Sequence, residues 1–266
     1  YMKAYFWLKF KAGLQYRAAA LAGIITQLFF GIVYISVYFA CYESNTNSSL
    51  PMPLHQLISY LWLNQIFFCL IYLWYKDRDI LSLIKTGNIS YELCRPQNLY
   101  NMWFSKMLGE RLSTTLLRFP LVMVIALILP KPYNLVINTD IKIVFLFLIT
   151  FVLGMILMIS LVLFYHILCL ITLDEKGIIN MLMVLADILS GLTIPIPFFP
   201  LFLQKISNIL PFRYISDLPF RVFVGNIGIK EGLISIVFQI IWIIILVLLG
   251  KIIMKKALRK AVIQGG

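Results

Sequence analysis

Residues 18–42 are AAALAGIITQLFFGIVYISVYFACY, a run without a charged residue. A membrane helix needs about 20 predominantly apolar residues, so this run is long enough to cross a bilayer. The whole 266-residue chain has the same character, with 61% hydrophobic residues, 13% charged residues and a mean hydropathy of +0.92. Since soluble domains carry about 25% charged residues, the composition excludes soluble globular and disordered proteins. It predicts an all-α, polytopic membrane protein.

Six apolar runs, separated by charged residues, are the predicted transmembrane helices. They are residues 18–42, 54–75, 107–129, a run between Lys142 and Asp174, a run from Lys176 to about Pro195, and a run between Glu231 and Lys251. The polar stretches between them are too short for a separate soluble domain. Residues 1–266 are therefore predicted to form a single transmembrane domain.

The distribution of Lys and Arg predicts the orientation of this domain. If both termini are inside, 16 of the 23 basic residues lie on the inner side, 6 on the outer side, and Arg118 within the third span. Basic residues favour the cytoplasmic side of a membrane. We therefore expect a multi-pass protein of the plasma membrane with both termini in the cytoplasm.

Two inner segments are neither spans nor simple loops. Residues 1–17 mix aromatic residues with lysines, which predicts a helix in the membrane interface; a frayed terminus is the alternative. In residues 76–106, Ile80, Leu81 and Ile84 share one helical face, and Gly87 is a plausible helix stop. This pattern predicts a short amphipathic helix facing the cytoplasm, the alternative being a tether between spans two and three.

The outer segment, residues 190–230, is rich in proline and glycine but too apolar for a water-exposed loop. Proline interrupts regular helix, and irregular backbone at membrane depth must be shielded by protein or line a wet cavity. We expect short helices that dip into the outer leaflet, along a transport path or against a partner subunit. The residues that determine this pattern are Gly191, Pro195, Pro197, Pro200, Pro211 and Pro219.

Arg118, Asp187 and His166 fall inside the predicted spans, where ionisable groups are costly and often functional. Arg118 follows Lys106 by 12 residues and Asp187 follows Lys176 by 11. At about 1.5 Å per residue, both lie roughly 16–18 Å from the inner surface. They are predicted to pair or to share a polar cavity, as a structural salt bridge or as part of a path. His166 is either a proton-sensitive gate or a hydrogen-bonding partner of a neighbouring helix.

Motifs for catalysis or metal binding are missing from the sequence. It has no G-x-x-x-x-G-K-[ST] phosphate loop, no H-E-x-x-H and no G-x-S-x-G, and it has only two histidines. The chain is therefore not expected to be an enzyme or to bind a metal. Its basic residues lie between apolar runs rather than on one soluble face, so nucleic acid is not an expected partner.

The inner segment contains the pattern Gly87-x-Ile89-x-x-x-Leu93-x-Arg95-Pro96. This pattern resembles the stretch after the second span of type-2 ABC transporter permeases, in particular small six-span permeases of bacterial exporters whose ATPase is a separate protein. The outer segment resembles the pair of re-entrant helices in the same family.

The resemblance implies a cytoplasmic coupling helix that docks on an ATPase. Its residues would include Asp79, Ile80, Leu81 and Ile84, while Gly87, Arg95 and Pro96 would shape the return to the membrane. It also implies two ATPase subunits, which hold ATP and Mg, and a second permease that is an identical or a related chain. The substrate path would run between the two permeases, and no cofactor is expected on this chain.

Two other classes of membrane protein remain as alternatives. An ion- or proton-coupled secondary carrier often has repeated spans, and no internal repeat is visible, although Asp187 would be its deep acid. A non-transporting scaffold or immunity protein would not need the amphipathic inner helix or the proline-rich outer segment.

Overall fold

The computed structural model describes residues 2–44, 50–93, 98–172 and 177–264. In these ranges the secondary structure is helical, which confirms the all-α prediction. The α-helices are α1 (Met2–Gly13), α2 (Arg17–Ser44), α3 (Leu54–Ile66), α4 (Phe68–Ile71), α5 (Arg78–Lys85), α6 (Ile89–Leu93), α7 (Leu99–Ile128), α8 (Ile141–Thr172), α9 (Ile178–Leu189), α10 (Leu201–Ile209), α11 (Asp217–Phe223) and α12 (Ile229–Gln264). Two 3₁₀ turns, Ile196–Phe198 and Phe212–Tyr214, flank α10.

Four of these helices, α2, α7, α8 and α12, are long and apolar enough to cross a membrane. They coincide with the first, third, fourth and sixth predicted runs. In the second predicted run the helix is interrupted, and in the fifth it is short. Both helices end earlier than the sequence predicted.

The second apolar run is a broken helix, not the continuous helix over residues 54–75 that the sequence predicted. The chain interrupts its helical path at Phe67 and leaves it after Ile71. Arg111 Nη1 donates hydrogen bonds to the carbonyl oxygens of Cys69 at 3.1 Å and Leu70 at 3.3 Å. Because a helix end leaves carbonyl groups without intrahelical donors, the guanidinium group satisfies the end of α4.

The fifth apolar run is also shorter than predicted. Helix α9 ends at Leu189 rather than near Pro195, and Gly191 follows with a φ of 80°. This left-handed conformation favours glycine and turns the chain away from the helix axis.

The interior is formed by α8, which packs along α12, and by an aromatic cluster at the break in the second run. Phe67 lies 4.4 Å, centroid to centroid, from Phe151 of α8 and 6.2 Å from Phe220 of α11. The break therefore places an aromatic ring between α8 and the outer segment.

Helix α1 packs directly along α7, where small residues allow close approach. A Cβ on Gly109 would lie 2.8 Å from the carbonyl oxygen of Phe6, and Gly13 lies against the Ser113 side chain. Gly109 and Ser113 are one helical turn apart, a spacing typical of close helix contacts in membranes. The predicted N-terminal helix is therefore attached to α7 along most of its length.

Candidate functional site

Helix α5 is the short inner helix that the amphipathic pattern predicted. It begins at Arg78 because Asp77 Oδ1 accepts hydrogen bonds from the backbone N–H groups of Asp79 and Ile80, both at 3.0 Å. It ends at Lys85, and Gly87 follows with a φ of 71°. Residues 94–97, including the predicted Arg95 and Pro96, lie outside the described residues.

The apolar face of α5 is buried within this chain. Ile80, Leu81 and Ile84 are 1%, 6% and 6% exposed, and the helix packs against α8. The helix therefore uses these three side chains to cover the apolar end of the bundle, and their assignment to a coupling helix remains a prediction. The exposed edge of this region consists of Arg78, Asp79, Ser82, Lys85, Thr86, Gly87, Asn88 and Tyr91.

A cluster of charged side chains holds the beginning of α5. Lys106 Nζ of α7 lies 2.6 Å from Asp77 Oδ1 and 2.8 Å from Asp79 Oδ2. The Lys106 and Asp77 side chains are only 3% and 2% exposed. Lys9 Nζ of α1 lies 3.2 Å from Asp79 Oδ2 and 3.6 Å from Glu110 Oε1. We call these five residues the Asp77 cluster; it joins α1, α5 and α7.

The hydrogen bond from Lys106 lowers the pKa of Asp79 below its ordinary value of 3.8, and Lys9 acts in the same direction. Asp79 is therefore ionised at neutral pH. Since its side chain is 67% exposed, a partner can reach it while it remains bound to the cluster.

His166 joins α8 to the same point. The backbone N–H of Asp77 donates to His166 Nε2 at 3.0 Å, and His166 Nδ1 lies 2.8 Å from the Val162 carbonyl oxygen. A backbone N–H can only donate and a carbonyl oxygen can only accept. The buried ring is therefore neutral, with its proton on Nδ1. The sequence left two interpretations of His166, a proton-sensitive gate and a hydrogen bond to a neighbouring helix. The structure contains the hydrogen bond, to the residue that precedes α5.

The sequence did not single out Asp77 and Lys106 as site residues. An acidic residue directly before an amphipathic helix is a helix-start signal, which could have identified Asp77. Lys106 lies 29 residues further along the chain, and no local pattern indicates that it returns to the same point.

Arg118 and Asp187 do not pair in the structure, which corrects the predicted pairing. Asp187 Oδ2 accepts a hydrogen bond from Thr193 Oγ1 at 3.2 Å. Arg118 lines a cavity between α1, α2 and α7 to which Asp187 does not contribute. The physical reason is the early end of α9, because the turn at Gly191 brings Thr193 back over the Asp187 carboxylate.

The outer segment is organised around Asp217, which the sequence did not identify. Its buried carboxylate accepts hydrogen bonds from Tyr60 Oη at 3.2 Å and from the Ile196 N–H at 3.4 Å. Arg221 Nη1 lies 3.5 Å from the same carboxylate and Arg213 Nε lies 4.0 Å from it. The Asp217 side chain therefore connects α11 to α3 and to the 3₁₀ turn that begins at Ile196.

The prolines of the outer segment start short helices as well as ending the preceding ones. Pro195 precedes the first 3₁₀ turn, which contains Pro197, and Pro200 precedes α10. Pro211 precedes the second 3₁₀ turn, and Pro219 lies in the first turn of α11. These positions suit proline because first-turn N–H groups have no intrahelical acceptor. The predicted short helices are present.

The chain is a multi-pass membrane protein. Its long apolar helices define this class, with a proline-rich segment at one end and an ion-paired helix at the other. A family model described as ABC-2 family transporter protein matches residues 53–265. The chain therefore belongs to the ABC-2 transporter family, as the resemblance of its inner segment predicted. It is a membrane subunit of a transporter, and membership in this family implies an ABC ATPase as its partner. A search of curated proteins gives no match.

Proposed function

We propose that the chain is the permease subunit of an ATP-driven exporter and forms the substrate path with a second permease, identical or related. Two copies of a separate ATPase drive it from the cytoplasm of the cell. The 16-to-6 distribution of basic residues supports cytoplasmic termini, and it places α1, α5 and the Asp77 cluster on the cytoplasmic side.

Six crossings are compatible with the shorter helices. Residues 54–71, which include α3 and α4, would span about 27 Å if helical throughout, close to the thickness of about 30 Å of a hydrocarbon core. Helix α9 has 12 residues and is about 18 Å long. The outer segment, held by Asp217, fills the remaining depth as a re-entrant structure in this proposal.

The attachment of α5 is the observation that carries the proposal. Asp77 caps the helix, pairs with Lys106 of α7 and donates its N–H to His166 of α8, while Lys9 links Asp79 to α1. A force on the exposed edge of α5 therefore acts on three other helices at once. A loop that only tethered two spans would not need a buried ion pair and a buried histidine at its start.

The test is co-purification of an ATPase from native membranes in a gentle detergent, together with ATP hydrolysis by the complex. Arg78→Glu and Tyr91→Ala change the exposed edge without touching the core, since Tyr91 is 74% exposed. We expect both variants to fold normally and to lose most of the bound ATPase. Lys205→Glu, an exposed lysine of α10 at the opposite end, is the matched control and should retain it.

Ile80→Asp serves as a second control, because it places a charge in the buried face and should impair folding and ATPase binding together. If no ATPase binds to the wild-type protein and transport follows an ion gradient without ATP, the exporter proposal is wrong. That result would favour the secondary carrier.

A further inference from the structure

A cavity of about 530 Å³ lies beneath the corner between α1 and α2, next to the Asp77 cluster. Its walls come from α1, the start of α2, the broken second run and α7. Apolar side chains form much of the lining, and five charged residues also face it: Lys9, Asp79, Glu110, Arg111 and Arg118.

The positive charges in this cavity are incompletely neutralised. Asp79 and Glu110 already interact with Lys9 and Lys106. Within residues 2–44, 50–93, 98–172 and 177–264, no carboxylate lies within ion-pair distance of Arg111 or Arg118. An arginine at membrane depth costs about 3 kcal/mol or more when its charge is not compensated, so Arg118 in particular favours an anion in the cavity.

Arg111 has donors to spare and is rigidly placed. It is 3% exposed, its Nη1 donates to two backbone carbonyls, and its Nε and Nη2 have no hydrogen-bond partner. Its guanidinium also lies 4.6 Å from the centre of the Tyr75 ring. Arg118 lies two turns further along α7, and its Nε also has no partner.

Gly23 of α2 makes room for the second guanidinium. A Cβ at this position would collide with Arg118 Cζ and both of its terminal nitrogens. The first two turns of α2 thus shape one wall of the cavity around a cation.

The surroundings of the cavity indicate which kind of anion fits. Ala19 lines it and is exposed, and Phe30, Val33 and Val37 of the same helix are 45%, 38% and 56% exposed. The last three lie 11, 14 and 18 residues beyond Ala19, about three, four and five helical turns, so they lie on the same side of α2 and form an apolar stripe along it. A polar head in the cavity would have a hydrocarbon chain beside this stripe.

We propose that the cavity binds the acidic headgroup of an amphiphile, an oxyanion such as a phosphate diester, between Arg111 and Arg118. Guanidinium groups suit this chemistry because their planar donors match phosphate oxygens. The hydrocarbon chain of the ligand lies along Phe30, Val33 and Val37. This site does not depend on the ATPase or on the direction of transport.

The probe is short-chain phosphatidylglycerol, added to the delipidated full-length protein in a neutral detergent, with thermal unfolding as the measurement. Phosphatidylcholine with the same chains and inorganic phosphate are compared at the same concentrations. We expect a saturable rise in Tm with phosphatidylglycerol, and a much smaller one with either of the other two. A charged hydrogen bond contributes about 1.5–3 kcal/mol, so Arg118→Gln should weaken the apparent affinity at least about tenfold.

Arg259→Gln is the matched control, because it removes one exposed arginine from the inner end of α12 and should change the affinity less than about twofold. Arg118→Lys keeps the charge and should retain part of the binding. Should Arg118→Gln fail to fold, Ala19→Phe narrows the cavity without changing a charge and should give a similar loss.

Three results would overturn the proposal. Equal effects of Arg118→Gln and Arg259→Gln would show that binding depends on net charge alone. Equal stabilisation by phosphatidylcholine would exclude recognition of an acidic headgroup, and equal stabilisation by inorganic phosphate would exclude the amphiphile.

Discussion

Replacement of Lys106 by methionine removes the ammonium group that neutralises Asp77. The two charged atoms are 2.6 Å apart and both side chains are almost completely buried, so the substitution leaves a buried carboxylate without its cation. Breaking a buried pair in this way costs about 3–5 kcal/mol. For a chain of this size about 1 kcal/mol corresponds to 2–4 °C, so we expect Tm in detergent to fall by about 6–20 °C.

The matched control is Lys11→Met, which removes an exposed lysine from the last turn of α1 and should change the stability by less than about 0.5 kcal/mol. The double variant Lys106→Met with Asp77→Asn removes both charges and keeps a capping side chain. It should lose about 0.5–3 kcal/mol less than the sum of the single variants. A Tm of Lys106→Met within about 2 °C of wild type, or strictly additive losses, would refute the buried-pair reasoning.

Three further outcomes are expected from the same measurement. Because the Lys106 hydrogen bond lowers the pKa of Asp79, the stabilisation by its carboxylate is fully present above about pH 5 and disappears as the pH falls through the lowered pKa. The Tm values of wild type and Asp79→Asn should therefore approach each other as the pH falls below the ordinary pKa of 3.8, and a Tm difference that does not shrink would contradict this. His166→Leu leaves the Asp77 N–H without an acceptor and should cost about 1–3 kcal/mol, whereas His166→Gln offers a carbonyl oxygen and should cost less; equal losses would exclude the hydrogen bond as the cause. Gly154→Ala places a Cβ 2.7 Å from the Ile215 carbonyl oxygen and should cost about 1–3 kcal/mol, while Gly228→Ala, with nothing within 4 Å, should not.

The long helices could be predicted from the sequence because membrane thickness sets a minimum length for an apolar run. Helix α5 could also be predicted, from its spacing of apolar residues and its glycine stop. The direction in which its apolar face points could not, because Ile80 and Ile84 give the same pattern whether their own chain or a partner covers them. Six crossings, the re-entrant structure and the orientation remain predictions.

The break at Phe67 and the separation of Arg118 from Asp187 could not be predicted for a different reason. Residues 67–74 contain neither glycine nor proline, and the helix ends there because Arg111, from a distant part of the chain, supplies donors to its last carbonyls. The equal depth of Arg118 and Asp187 did not establish a contact between them, because the turn at Gly191 brings Thr193 to the Asp187 carboxylate. At Phe67 a tertiary contact overrides what neighbouring residues indicate, whereas at Asp187 a local turn supplies the partner.

The close packing of α1 against α7 has a consequence for the biogenesis of the protein. Gly13 and its contact Ser113 are about 100 residues apart, so at about 5–20 residues per second the ribosome needs roughly 5–20 s to make the second after the first. During that time α1, whose Phe6, Trp7 and Phe10 rings contact one another, has no α7 to pack on. Helix α1 therefore reaches its final position only after α7 has emerged.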